Sequence, residues 1–211
     1  MTFEGYSDPG GKDKNTEACF ALQMEKRFLF AVADGACSEA DGEMASAFVV
    51  YKLKNDFMAQ PQLFDLAESV PQTDAALKKL SEKQNKRFGC SFAAVCVDNA
   101  KIQCAVAGNC RIYIADVAGS LQMIADEKNG EDGALGGETS FSVEMRTVES
   151  ASARAVLLCT DGVWTQVPEN ELCRQMQLSA DAGTWICRIG NLVRENACIF
   201  DGNHTAVAAM A

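Results

Sequence analysis

Two apolar runs in this chain end in the same pair of residues. "RFLFAVADG" brings Asp34 and Gly35 to the end of a hydrophobic stretch, and "AVLLCTDG" does the same with Asp161 and Gly162. A third acid, Asp201, stands just ahead of the last apolar run, "HTAVAAMA". If these runs are strands whose ends meet, several carboxylates share one place. Like charges so close are unfavourable unless a cation neutralises them. Hard divalent ions such as Mg2+ and Mn2+ take oxygen ligands, so the residue types suit them. A glycine after Asp34 would also let a backbone carbonyl approach an ion closely. A single Asp-Gly pair is more simply a tight turn; its repetition after two similar runs favours a site.

The elements that must position these acids follow from periodicity. "RFLFAVAD" (27–34) reads as a largely buried strand. Residues 38–59 have helical spacing, with Met44, Phe48, Val49, Leu53 and Phe57 on one side, and 62–87 read as a second helical region interrupted near Pro71. Strands are expected at 91–98, 101–108 and 111–116, with Asn99 and Gly119 in turns, and again at 141–149 and 154–161. Helices are expected at 168–178, which opens with Pro and acids, and at 181–197; 204–211 closes as a strand. Meandering strands with paired helices indicate α+β layering rather than a doubly wound parallel sheet. No G-x-G-x-x-G or Walker A motif is present, which argues against a nucleotide site.

Composition narrows the class. The 211 residues suit one domain with a sizeable core, and 48% hydrophobic with 23% charged residues is an ordinary globular balance. A net charge of -10 without a basic stripe argues against a nucleic-acid partner. No apolar run reaches membrane-spanning length, and "MTFEGYSDPGGKDKN" lacks the pattern of a signal peptide, so neither membrane nor export is expected. The ten cysteines lie mostly among Ala, Val, Leu and Ile with no C-x-x-C pair, as expected of buried thiols in a reducing cytoplasm.

Over nearly its whole length, the chain resembles the metal-dependent serine/threonine protein phosphatases, the PPM or type 2C family. "FAVADGACSEADGEMAS" resembles the family's strand, Asp-Gly, small residues and helix. "GCSFAAVCVDNAKIQCAVAGNCRIYIADVAGSLQMI" resembles its Gly-Ser/Cys-Thr hairpin, Gly-Asp-Ser-Arg and following strand. "GALGGETSFSVEMRTVE", "VLLCTDGVWTQVPENEL" and "DGNHTAVAAMA" resemble the Ala-Leu-Gly segment, the Asp-Gly-Leu-Trp-Asp block and the closing Asp-Asn-x-Thr strand. The resemblance implies a single α+β domain over residues 1–211, a four-layer αββα sandwich of two mostly antiparallel sheets flanked by helix pairs. It implies one or two Mg2+ or Mn2+ ions, with Asp34 bridging, Gly35 offering its carbonyl and Asp161 binding one ion. It further implies a cytoplasmic, bacterial-type enzyme in which a metal-activated water attacks a phosphoserine or phosphothreonine of a protein substrate. On this resemblance Asp34 and Asp161 would be its catalytic carboxylates.

Several positions depart from the family pattern. Lys12 falls at the phosphate-binding Arg, a point charge without the bidentate fork, and reads equally as a solvated loop lysine. Thr16 falls at a Glu, and Glu17 at a metal-binding Asp, keeping the carboxylate on a longer arm. Asn109 replaces an acid linked to a third metal in bacterial relatives. Little sequence separates "LQMI" from "ALGG", where relatives carry a helical flap, so an open site with at most two metals is expected. Aligned on Asn203 and Thr205, the closing motif puts Gly202 at the metal-binding Asp and Asp201 one residue early. One step along a strand turns a side chain to the opposite face, and a bulge at Gly202 would return it. Ala36 replaces the family's usual His, and the only histidine, His204, reads as a packing residue. The alternative to an enzyme is a degenerate phosphatase fold that binds a phosphoprotein or partner with little turnover. A hydrolase of small phosphoesters is a third reading, since an open site restricts substrates little.

Overall fold

The computed structural model describes residues 1–36, 38–126, 134–137, 142–196 and 202–211. Among the described residues, ten strands and five α-helices follow in the order β1 (Thr2–Asp8), β2 (Glu17–Met24), β3 (Arg27–Gly35), α1 (Glu39–Ala59), α2 (Leu66–Gln84), β4 (Cys90–Val97), β5 (Lys101–Ala107), β6 (Arg111–Asp116), β7 (Leu121–Asp126), β8 (Glu144–Glu149), β9 (Ala153–Cys159), α3 (Asp161–Trp164), α4 (Glu169–Gln177), α5 (Ala182–Asn196) and β10 (His204–Met210). The strands form two five-stranded sheets, ordered β1-β10-β9-β6-β7 and β2-β3-β4-β5-β8, and every pairing is antiparallel.

Three apolar layers hold these sheets. Between them, Phe30, Val32 and Val95 meet Ile112, Leu158 and Val207. On one outer face, Leu29, Ala31 and Ala33 meet Val49, Leu53 and Phe57 of α1 and Leu77 of α2. On the other, Leu157, Ala206 and Ala208 meet Leu172 of α4 and Trp185 and Ile189 of α5. Successive residues of β3 therefore point into two different cores, so its sequence is unbroken apolar rather than alternating. This is the four-layer αββα arrangement expected of the sequence.

The details differ in places. β1 and β2 precede the first strand read from the sequence. β1 lies at a sheet edge and exposes part of its length, so it carries no continuous apolar run. The α2 helix runs through Pro71 without a break. Pro71 and Ala67 are both exposed, so the carbonyl left without its helical donor meets water. Asp65 caps this helix, its side chain accepting from the Ala67 amide at 2.8 Å. Met44, placed by spacing on the buried face of α1, is exposed, and Ala45 takes its place in the core. Asp161 is not the last residue of a strand: β9 ends at Cys159, and Asp161 opens the short helix α3. Among the described residues, no helix lies between β7 and β8, and no helix is long and apolar enough to cross a membrane.

Candidate active site

Antiparallel register puts Glu17, the first residue of β2, directly opposite Asp34 near the end of β3, with Ser91 of β4 on its other side. Asp161 arrives from the other sheet, one residue beyond the buried Thr160 that follows β9. One carboxylate oxygen from each of Glu17, Asp34 and Asp161 lies within 4.8 Å of the others. Asp34 and Asp161 are half-buried, whereas Glu17 is 7% exposed. Burial first, and then the facing Asp34, push the Glu17 carboxyl well above the usual carboxylate range. Hydrogen bonds from Thr205 and Thr160 oppose that shift, and Asp161 adds to it.

Those threonines belong to a network that the sequence reading did not find. The Thr160 hydroxyl donates to Glu17 Oε2 at 3.0 Å and accepts from the Thr205 amide at 3.0 Å. Ser7 and Thr205 share a hydroxyl hydrogen bond of 2.7 Å, and Asn15 Nδ2 donates to Ser7 Oγ at 2.8 Å. Asn15 Oδ1 in turn accepts the Glu17 amide at 3.0 Å. Asn203 ties the neighbouring loop: its Oδ1 accepts from the Thr16 amide at 3.0 Å and hydroxyl at 2.8 Å, and its Nδ2 donates to the carbonyls of Pro9 at 2.9 Å and Lys14 at 3.1 Å. The only available signal was the placement of Asn203 and Thr205 in the closing motif.

The glycines also have a packing duty. A Cβ on Gly35 would stand 2.1 Å from the Gly42 carbonyl oxygen, and one on Gly162 would stand 2.0 Å from that of Asn203. Each glycine therefore clears a neighbouring backbone, whatever it also does for an ion.

A cluster of oxygen donors, one of them buried and disfavoured as an anion, suits a hard divalent cation. A model of one protein family, protein phosphatase 2C, matches residues 5–188. The chain belongs to the protein phosphatase 2C family. Membership carries a reaction class: metal-dependent hydrolysis of phosphoserine and phosphothreonine in proteins. No curated protein matches the chain in sequence. Solved structures match its fold. A variant of a bacterial serine phosphatase gives a TM-score of 0.87 at 21% identity, covering 100% of this chain and 98% of that one. The serine/threonine phosphatase Stp1 from Staphylococcus aureus gives 0.86 at 20%, covering 100% and 95%. The serine/threonine phosphatase PstP/Ppp from Mycobacterium tuberculosis gives 0.82 at 21%, covering 99% and 97%.

The phosphatase 2C positions that depart from pattern fall as follows. Lys12 is exposed on the loop between β1 and β2, where its amide donates to the Pro9 carbonyl at 3.1 Å. Asn109 sits in the β5–β6 turn, and its carbonyl accepts from Trp164 Nε1 at 2.8 Å. The Arg111 guanidinium lies 3.6 Å from the centre of the Trp164 ring, so this turn anchors α3 beside Asp161. Asp201 lies outside the described residues. Gly202 is a half-buried bend that precedes β10. The strand itself starts at His204 and pairs with β1 and β9 without a register shift. Gly202 therefore lies ahead of the strand, and β10 contains no bulge. His204 is 3% exposed, with Nδ1 3.2 Å from the Tyr6 hydroxyl and its pKa lowered by burial, in keeping with a packing residue.

Proposed function

We propose that Asp34, Asp161 and Glu17 hold one or two Mg2+ or Mn2+ ions, with the Gly35 carbonyl and Asp201 as further ligands, and that a phosphorylated protein is the substrate. The observation that carries this is the convergence of the three carboxylates from two sheets. When bound, such an ion supplies positive charge for phosphoryl oxygens and lowers the pKa of water. The chain's own residues set the geometry. Asp34 is fixed by paired strands on both sides, and Glu17 is held inward by Thr160 and Thr205. Lys12 offers a point charge to a phosphate. Two thiols near the acids, Cys110 and Cys159, are fully buried with their pKa pushed up by burial, so neither supplies a thiolate nucleophile. Asp34 and Asp161 act as the catalytic carboxylates through the ions they hold.

A second reading rests on Gly202. If that position has lost a carboxylate ligand, the chain binds a phosphoprotein with little turnover. Mn2+-dependent hydrolysis of a phosphothreonine peptide and of a chromogenic phosphoester tests both. Turnover that an Asp34→Asn variant lacks supports the enzyme, while metal and phosphopeptide binding without turnover supports the binding module. A cytoplasmic location fits the eight described cysteines, all of them free thiols.

A further inference from the structure

The run "KKLSEKQNKR" (78–87) closes α2 and takes no part in the site described so far. It holds five of the chain's 19 lysines and arginines against one acid, Glu82, in a molecule of net charge -10. A charge run is ordinarily the solvated face of a helix. The helix dipole accounts for a cation in the last turn, Lys83, but its influence ends there. Lys79 stands a turn earlier, and Lys86 and Arg87 stand beyond the Asn85 cap.

Topology brings this run to the carboxylate end of the sandwich. The α1 helix leaves that end just after Asp34 and Gly35, and α2 returns to it. There β4 starts, with Cys90 opposite Gly35 and Ser91 opposite Asp34. The Ala36 amide donates to the Gly89 carbonyl at 2.9 Å, and Lys86 Nζ lies 2.6 Å from Asp41 Oδ1 in the first turn of α1. Arg87 is separated from Ser91 by no more than about 14 Å of extended chain. Lys79, Lys83, Lys86 and Arg87 are all exposed. Lys78 is paired with Asp74 at 2.9 Å. Lys79 and Lys83, one turn apart on one face, have no carboxylate partner among the described residues.

A phosphorylated segment carries about -1.5 to -2 from its phosphate alone. A molecule of net charge -10 repels such a segment except where the local sign is reversed. We propose that Lys79 and Lys83, with Lys86 and Arg87 at the near edge, form a docking surface for acidic side chains of the phosphoprotein substrate, about four to eight residues from the phosphorylated one. This rests on the phosphatase reading above and adds the substrate class: phosphoproteins with an acidic flank. Each exposed ion pair contributes little, so the selectivity is on the order of tenfold and is screened by salt.

Phosphothreonine peptides carrying glutamate, glutamine or lysine at those positions, on both sides of the phosphate, test it on the intact protein with Mn2+. The glutamate peptide is expected to have a KM about tenfold below that of the lysine peptide at low salt, with kcat unchanged and the gap closing at high salt. The double substitution Lys79→Glu, Lys83→Glu is expected to erase the preference and to leave hydrolysis of a small chromogenic phosphoester at the parental rate. Equal KM across the peptides overturns the proposal, as does parental selectivity in the variant. If no peptide is hydrolysed, the phosphatase reading is what fails, and fluorescence anisotropy of the same peptides, labelled, reads the preference directly. Equal affinities there overturn the proposal, and a preference of about tenfold for glutamate upholds it. A single-stranded RNA bound as tightly as the glutamate peptide would mark a general polyanion surface and overturn it too.

Discussion

Gly35 and Gly42 meet backbone to backbone where β3 passes the chain to α1. A Cβ on Gly42 would stand 2.7 Å from the Gly35 carbonyl oxygen, and the reverse approach is tighter still. Gly162 and Asn203 repeat the relationship on the other sheet. Both Asp-Gly pairs thus have one design. A carboxylate is delivered at or just past the end of a strand, and the next residue has no side chain because another segment crosses there. The crossing segments are the N-terminal end of α1 and the residue before β10, so the same contacts that seat the acids also seat their surroundings.

Gly35→Ala is therefore expected to destabilise the fold by about 2–3 kcal/mol, since the added methyl meets backbone atoms that cannot rotate away. Urea denaturation at unchanged m-value measures it. A loss no larger than that of a surface substitution would show that α1 yields freely.

Glu17 makes stability depend on pH in the metal-free protein. Its folded carboxyl titrates well above the ordinary 4.5. Between that value and the raised one, folding takes up a proton, so stability falls as pH rises. Below the ordinary value both states are protonated and the effect vanishes. In EDTA, Glu17→Gln should match the parent near pH 4 and be more stable than it at pH 7. With Mn2+ added, the parent should gain more, because the variant has lost an anionic ligand. Denaturation curves across that range, with and without the ion, are the check; identical pH slopes would place Glu17 outside the coupled cluster.

What could be read in advance follows from where each signal lies. β3 and β4 were legible because both faces of each are buried, which leaves runs such as "FLFAVA" and "SFAAVCV". β1 and β2 were not, because edge strands expose side chains and dilute the apolar pattern. The continuity of α2 at Pro71 depended on which way that residue faces, which local sequence does not state. Asp34 and Asp161 stood out through a repeated dipeptide. Glu17 was reached only through family resemblance, and register then confirmed its place beside Asp34. Thr160, Ser7 and Asn15 carried no signal, because their roles are hydrogen bonds between segments remote in sequence.

Asp34→Ala should weaken Mn2+ binding more than any other single substitution, since Asp34 sits between two paired strands and faces both other acids. Asp161→Ala should remove one ion and leave the fold intact, because its backbone opens a short helix and is not part of either sheet. Isothermal titration with Mn2+ reads both: near-parental affinity in the first, or unchanged stoichiometry in the second, would reassign the ligands.

Gly202 and Asp201 decide how complete the metal site is. Gly202 precedes β10 in a bend next to Asn203, which anchors the loop carrying Lys14 and Thr16. If the closing motif aligns on Asn203 and Thr205, a carboxylate introduced there would start at a ligand position. Each carboxylate added to a hard-ion site raises both charge and ligand count, and affinity follows both. Gly202→Asp is therefore expected to tighten Mn2+ binding and raise the rate on a phosphothreonine peptide, with Asp201→Ala changing little. If Asp201 is already the ligand, the pattern inverts. Asp201→Ala then weakens the metal, and Gly202→Asp adds a like charge to a filled shell. Measuring both variants by titration and turnover separates the two arrangements, and an inert Gly202→Asp beside an active parent would rule out the vacant-position reading.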